Sequence, residues 1–305
     1  MESHFDIKTY RKSNKQYFIQ MKILFLENWI HPKNRNALEK YKNIEFVYTT
    51  QIEGHDLSIY DAVYSAAQPI EISQYPNTKF IFGPHFSVFP ESYQMNIIRY
   101  SNALYIQLSD WSLDIWKNNP VSSGVTFTIL PFGVDTEQFN EIKPFENRDK
   151  VFVYYKSRHP YELEFLKQFL NNKGIEYKMF DYNVKYPETE YLEYLHESKY
   201  GIWLGRHESQ GFALQEALSC NVPLFVWDVT SMNQEYGYAY ADIKATCIPY
   251  WDDSCGEYFT HPDEMVSMFD TFLSRLPEYK PRDYILNTLS IDKCAKLFED
   301  TVHNM

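Results

Sequence analysis

The stretch GRHESQGFALQEALSCNVP, residues 205–223, holds two glutamates, Glu208 and Glu216, on either side of a glycine. The apolar run YGIWL at 200–204 precedes it and predicts a buried strand. Apolar residues at helical spacing then begin near Gly211 or Phe212 and predict a helix over 212–220. The stretch therefore joins the carboxyl end of a strand to the N-terminus of a helix.

Similar short apolar runs recur on both sides of this stretch and predict further strands. They lie at 22–26, 44–48, 61–65, 79–83, 103–107, 126–130, 151–155, 175–180, 222–227 and 245–249. Helical patterns fit between them, at 34–42, 91–101, 110–118, 160–173, 188–197, 262–275 and 291–303. Strands that are apolar on both faces are typical of parallel sheets. The order therefore predicts two doubly wound α/β domains that face each other across a cleft.

A polar, turn-rich segment at 131–149 separates the two series of strands. We expect an N-terminal Rossmann-like domain at 21–140, a C-terminal Rossmann-like domain at 141–288 and a C-terminal helix at 289–305. Residues 1–20 are polar and precede the first buried strand, so they are expected to form an extension outside the main fold.

Composition excludes several classes of function. The 305 residues include 29 basic and 41 acidic side chains, a net charge of −12, and no basic cluster of the kind that nucleic-acid binders carry. The four cysteines lack metal-binding spacing and indicate a reducing compartment. No apolar run approaches 18 residues, and the N-terminus lacks a signal-peptide core. We expect a cytoplasmic protein that has no transmembrane segment and does not bind nucleic acid.

The loop between the two glutamates has the chemistry of an anion site. Ligands of doubly wound sheets bind beyond the carboxyl ends of the strands, and free N–H groups at a helix N-terminus favour phosphate. Gly211 lets a ligand approach the backbone closely, and carboxylates accept hydrogen bonds from vicinal hydroxyls. The pattern suits a ligand made of a sugar, a diphosphate and a ribose. Alternatively, Glu216 is an ordinary solvated helix residue, because this spacing of glutamates often arises by chance.

Several segments of the sequence resemble those of a known family. ESQGFALQEALSCNVPLFVWD at 208–228 resembles the Glu-x7-Glu segment of retaining glycosyltransferases with the GT-B fold, in the broad glycosyltransferase family 4. ILPFGVDTEQF at 129–139 resembles the segment that closes the family's N-terminal domain. Two weaker matches, at 103–117 and 289–300, follow the same order as in the family.

The resemblance implies a reaction and a set of roles. The enzyme would move a hexose from a nucleotide diphosphate sugar to a hydroxyl of a glycan, a lipid-linked sugar or a protein, with retention at the anomeric carbon. Glu208 would lie beside the donor sugar, the backbone of Gly211 and Phe212 beside the diphosphate or the sugar, and Glu216 beside the ribose. Neither a metal ion nor a further cofactor would be required, since catalysis would rest on stabilising the charge of the leaving diphosphate.

Basic side chains and one histidine complete the predicted site. Arg158 matches the family's arginine after the first strand of the second domain, but Leu163 stands where a lysine is usual. Lys156 is the candidate substitute, and Arg206 is either a further phosphate ligand or a partner of Glu208. His85 follows a strand and matches a histidine near the donor sugar. His159 and His207 also follow strands, with less to support a role.

The sequence departs from the family in its first loop. KILFLENWIHPKN at 22–34 lacks the usual glycine-rich turn, and Asn28 and Trp29 stand in its place. Asp252 and Asp253 are interpreted as turn residues rather than as a metal-binding Asp-x-Asp motif. The first loop and the missing lysine support one alternative, a non-catalytic GT-B-like protein that binds a nucleotide sugar or a glycan. A second alternative, a GT-B-shaped sugar-nucleotide isomerase, rests on the shared fold alone.

Overall fold

The computed structural model describes residues 20–305, so the predicted N-terminal extension lies, except for its last residue, outside the described residues. Two parallel sheets make up the molecule. The first has six strands in the order β2-β1-β3-β4-β5-β6. These are β1 Met21–Leu26, β2 Ile44–Thr49, β3 Ala62–Ser65, β4 Phe80–Phe82, β5 Ala103–Gln107 and β6 Phe127–Ile129. Helices α1 Pro32–Leu38, α2 Ser92–Ile98 and α3 Asp110–Lys117 connect some of them.

The second sheet has five strands in the order β11-β10-β9-β7-β8. They are β7 Lys150–Lys156, β8 Lys178–Asp181, β9 Ser198–Gly205, β10 Leu224–Trp227 and β11 Gly256–Phe259. Its helices are α4 Pro160–Asn172, α5 Glu188–Glu197, α6 Phe212–Ser219, α7 Met265–Arg275 and α8 Pro281–Thr288. β7 and β9 are buried along almost their whole length, as their continuous apolar sequences predict. The predicted pair of doubly wound domains is confirmed.

Each sheet has one point at which the strand order reverses. In the first sheet β1 pairs with both β2 and β3, and in the second β7 pairs with both β8 and β9. Connections leave such a point in opposite directions and open a crevice beyond the carboxyl ends of the strands. The loops after β1, β7 and β9 therefore supply the side chains of a cleft.

The predicted strand at 245–249 is wrong. That segment is a loop held by the carboxylate of Asp228, which accepts hydrogen bonds from the Thr246 hydroxyl at 2.7 Å and from the Cys247 amide at 2.7 Å. The edge strand is instead β11, and α8 was not predicted at all. Each of the other predicted strands is present, although the one expected at 175–180 begins only at Lys178.

A last helix, α9 Ile291–Asn304, returns from the second sheet to the first. Its Phe298 ring lies 5.7 Å from Phe46 and 6.1 Å from Tyr64, centroid to centroid, and completes the core beside β1 and β2. Lys79 adds a hydrogen bond to the Val302 carbonyl at 2.7 Å. Across residues 20–305, no helix has the length and apolar character needed to cross a membrane.

Candidate active site

The loop that follows β9 forms the floor of a cavity of about 810 Å³ between the two sheets. Gly211 precedes α6 with φ at +84°, a conformation that glycine adopts without strain. No side chain in the described part of the molecule caps the N-terminus of α6. The first amides of α6 therefore remain available to a ligand at the cavity wall, where Gly211, Phe212 and Ala213 lie.

Glu208 is fixed through both its backbone and its side chain. Its carbonyl accepts a hydrogen bond of 2.9 Å from the indole nitrogen of Trp111, which belongs to α3 of the first domain. Its carboxylate lies 2.6 Å from Nζ of Lys156. The Lys156 ammonium group also lies 4.0 Å from the centre of the Tyr182 ring. The sequence prediction that these two residues share a site is consistent with this arrangement, and both line the cavity.

Glu216 is not a solvated helix residue: only 4% of its surface is exposed. Its carboxylate lies 2.5 Å from Nζ of Lys33, which also bonds Glu188. Burial raises the pKa of Glu216 to about 7, although Lys33 opposes the shift. Desolvation alone would lower the pKa of Lys33, but attraction to Glu216 and Glu188 outweighs it and the pKa is raised.

His85 lies on the opposite wall of the same cavity. Its Nε2 is 3.0 Å from the side-chain amide of Asn34, and its ring stands edge-on to Trp29. Burial, with a smaller contribution from His31, lowers the pKa of His85 to about 4. The imidazole is therefore neutral at pH 7.

Arg206 also lines the cavity, and its guanidinium pairs with Glu235 at 3.1 Å rather than with Glu208. The structure does not bring Arg158 to the cavity. Arg158 is fully buried, and its guanidinium bonds Glu162 at 2.6 and 2.9 Å and the carbonyls of Gly205 and Trp227. Its donors are engaged inside the second domain, so Lys156 is the cation that β7 presents to the cleft.

The first loop contributes residues that sequence reasoning missed. His31, Lys33 and Asn34 line the cavity, whereas Asn28 bonds Ser65 at 2.8 Å and Trp29 is half exposed. The sequence could have predicted these residues, because they follow the carboxyl end of β1 just as the other site residues follow their own strands. Pro32 begins α1, a position that suits proline because the N–H it lacks would have no partner within the helix.

Solved structures share this architecture. The lipopolysaccharide outer core galactosyltransferase WaaB in its apo form matches with a TM-score of 0.56 and 13% identity, covering 93% of this chain and 99% of that one. AviGT4, a glycosyltransferase involved in avilamycin A biosynthesis, matches with a TM-score of 0.54 and 11% identity, covering 93% and 97%. Sucrose-phosphate synthase from Thermosynechococcus elongatus matches with a TM-score of 0.51 and 10% identity, covering 80% and 73%.

The chain has the GT-B fold. WaaB is named as a galactosyltransferase and AviGT4 as a glycosyltransferase, and at these identities the likeness establishes the fold alone. No family model matches the sequence, and no curated protein matches it. Within residues 20–305, no group of three His, Cys, Asp or Glu side chains is arranged to hold a metal ion.

Proposed function

We propose that this protein is a glycosyltransferase that moves a hexose from a nucleotide diphosphate sugar to an acceptor hydroxyl. One observation carries the proposal: Glu208 and Glu216 flank the N-terminus of α6 in a single cavity, with Lys156 and Lys33 beside them. The donor is a sugar, a diphosphate and a ribose in a row, and the cavity offers a partner for each. The glycosyltransferase neighbours of the GT-B fold support the same interpretation.

Each group has a role that follows from its chemistry. The buried carboxylate of Glu216 accepts hydrogen bonds from the ribose hydroxyls. The amides of Gly211 and Phe212 and the ammonium group of Lys156 bind the diphosphate. Glu208 and neutral His85 contact the donor sugar, and Arg206 lines the same cavity.

The reaction breaks the bond between the anomeric carbon and the phosphate oxygen. Its electron pair stays on the diphosphate, while the acceptor oxygen bonds the anomeric carbon and passes its proton to the departing phosphate oxygen. Fixed amides and ammonium groups lower the barrier by stabilising the charge that grows on the leaving diphosphate. We propose that the configuration is retained and that these groups act without a divalent metal or another cofactor.

Donor binding is the first test of the proposal. UDP, GDP, ADP and CDP sugars are titrated calorimetrically, in EDTA, into wild type, Glu216→Gln and the control Glu193→Gln. Glu193 is an exposed carboxylate of α5 outside the cavity. We expect one nucleotide to bind wild type and the control alike, and to bind Glu216→Gln at least about tenfold more weakly.

Turnover is measured with the donor thus identified, as release of nucleoside diphosphate in the presence of acceptors, and NMR gives the anomeric configuration of the product. Inverted product would contradict retention, and a requirement for added Mg²⁺ would contradict metal independence. Absence of binding to every donor, or equal binding to Glu216→Gln, would overturn the proposed site. Binding without turnover on any acceptor would favour the non-catalytic alternative.

A further inference from the structure

A second cavity, of about 300 Å³, opens beside the first one. The two share His85, Leu108, Arg206 and Ser209, so the second cavity begins at the end of the first where the donor sugar is proposed to lie. Its walls come from both domains: α3 and the loop after β4 on one side, and the segments at 206–209 and 232–240 on the other.

The walls of this second cavity are rich in aromatic rings. Trp111 comes from α3, while Tyr238 and Tyr240 come from the second domain and stack on each other at 5.7 Å. Tyr240 also meets Phe89 of the first domain at 6.3 Å, edge to face. Such rings offer flat apolar surfaces that suit a ligand with one apolar face.

Polar groups lie behind the rings. His207 has 6% of its surface exposed and is held between Trp111 and Tyr240, with ring centres 5.5 and 5.6 Å away. Its Nε2 lies 3.4 Å from the carboxylate of Glu235, itself buried. Its Nδ1 is closed to solvent and has no hydrogen-bond partner among residues 20–305, although buried polar atoms are normally paired.

The state of His207 makes Nδ1 a hydrogen-bond acceptor. Burial, with a further effect of Arg206, lowers the pKa of His207 to about 4, so the imidazole is neutral at pH 7. With Glu235 beside Nε2, the ring proton belongs on Nε2, and the lone pair of Nδ1 is left for a donor. A hydroxyl group is a donor of the kind that this lone pair accepts.

We propose that this second cavity binds one sugar ring of the acceptor, stacked on Trp111 or Tyr240, and that the rings around His207 shift to let one hydroxyl of that sugar donate to its Nδ1, which is closed to solvent in the unliganded structure. The inference rests on the proposed function, since it assigns an acceptor to that reaction. A sugar ring combines a flat face of C–H groups with a rim of hydroxyls, which is the combination these walls complement. An alkyl chain would leave Nδ1 of His207 without a hydrogen-bond partner.

The position of the second cavity also suits transfer of the donor sugar to an acceptor. The indole nitrogen of Trp111 holds the Glu208 carbonyl at 2.9 Å, so the wall of the second cavity is in direct contact with the loop that carries the proposed catalytic carboxylate. A ring seated on Trp111 presents its rim to His85 and Ser209, which line both cavities. An acceptor hydroxyl on that rim therefore faces the donor sugar.

The test uses two matched pairs of variants. Tyr240→Leu removes the flat ring, and Tyr240→Phe keeps it. His207→Gln keeps a donor toward Glu235 but lacks an acceptor at the Nδ1 position, whereas His207→Asn places a carbonyl oxygen near that position. Saturation-transfer NMR, without donor, measures binding of methyl glucosides, galactosides and mannosides of both anomers and of the corresponding octyl glycosides. The methyl series represents a free sugar, and the octyl series a sugar on a lipid.

We expect at least one sugar to bind wild type and Tyr240→Phe equally, and Tyr240→Leu and His207→Gln each about tenfold more weakly. His207→Asn should bind more tightly than His207→Gln, and donor affinity should be the same in all four variants. Equal binding of methyl and octyl glycosides indicates recognition of the free ring. Tighter octyl binding that still depends on Tyr240 and His207 indicates a lipid-linked sugar.

Three results would overturn the inference: no glycoside binds wild type, the best ligand binds Tyr240→Leu and His207→Gln as well as wild type, or octyl glycosides bind regardless of these two residues. Failure of donor binding is a separate result, because the NMR measurement needs no nucleotide. Donor binding that depends on Glu216 together with sugar binding that is independent of Tyr240 and His207 would reject the second cavity and leave the donor site in place.

Discussion

Lys33 and Glu216 meet across the cleft, each from a different domain, with Nζ 2.5 Å from the carboxylate. The carboxyl group is buried, and burial outweighs the attraction of Lys33, so its pKa is about 7. A carboxylate accepts ribose hydroxyls on both oxygens, whereas a protonated carboxyl must donate with one of them. Donor binding in this site therefore depends on the ionisation of Glu216.

We expect donor affinity to rise as pH increases through about 7 in wild type, because Glu216 loses its proton there. Lys33→Met removes the cation that favours the ionised form, so the midpoint should move to higher pH. Calorimetric titrations between about pH 5.5 and 9 measure it. Lys42→Met, which removes an exposed lysine paired with Asp292, should leave the midpoint unchanged. A midpoint that stays or falls in Lys33→Met would contradict this coupling.

Arg158 and Lys156 lie two residues apart, but we expect Arg158 to support stability and Lys156 to support donor binding. Arg158→Met leaves Glu162 and two carbonyls without their partner and should lower the free energy of unfolding by about 3 kcal/mol. Lys156→Met should weaken donor binding by about tenfold, with a smaller effect on stability. Urea denaturation and calorimetry on both variants separate the two. A stable Arg158→Met protein that fails to bind donor would restore Arg158 to the site.

At the scale of elements, the strands that the sequence predicts well are those buried on both faces, such as β7 and β9. β11 escaped prediction because it is a four-residue edge strand whose Glu257 and Tyr258 are partly or fully exposed. The apolar run at 245–249 does not form the predicted strand because its backbone bonds a side chain, Asp228, instead of a neighbouring strand. Local pattern does not report which partner a backbone amide will find.

Some residues of the candidate site are predictable from local sequence, and others are brought there only by the fold. Glu208, Gly211, Phe212 and Glu216 lie in one loop and its helix, so local spacing located them. The partner of Glu216 lies 183 residues away in sequence, in the other domain, and only the fold brings Lys33 there. The prediction that Arg158 faces the cleft was wrong. Ser157 takes a left-handed conformation, φ +47°, at the turn that follows β7, and Arg158 lies in the interior of the second domain.

Substitution of Gly211 tests whether the loop before α6 needs its left-handed conformation. Its φ is +84°, and a Cβ there would lie 3.5 Å from Cβ of Glu208, an ordinary contact, so the cost of Gly211→Ala is one of backbone conformation. We expect the free energy of unfolding to fall by about 1–2 kcal/mol and donor affinity to fall as well, because the first amides of α6 shift.

Gly174→Ala is the matched control for this prediction. Gly174 has φ +68° with open space around the missing Cβ, and it follows α4 away from the cavity. Urea denaturation should show a similar loss of stability, while donor titration should match wild type. If Gly211→Ala binds donor as tightly as wild type, the amides at the start of α6 are not ligands of the diphosphate.

At the scale of the whole molecule, α9 ties the second domain to the core of the first. Phe298 is buried among aromatic side chains of the first domain, and Phe298→Ala should lower the free energy of unfolding by about 3–5 kcal/mol. Its neighbour Leu297 is 41% exposed, so Leu297→Ala should cost far less. Chemical denaturation gives both values. Similar losses in the two variants would mean that α9 contributes helix propensity rather than packing.

The return of α9 to the first sheet sets an order of events during synthesis on the ribosome. Residues 21–129 emerge first, with the aromatic surface of Tyr41 and Phe46 complete in sequence but lacking its cover. Residues 291–304 supply that cover only after the whole second sheet has been translated. A nascent chain therefore carries exposed apolar surface until residues 291–304 have been translated, which is the condition under which chaperones engage. The first domain therefore completes its core only after the second domain has been made.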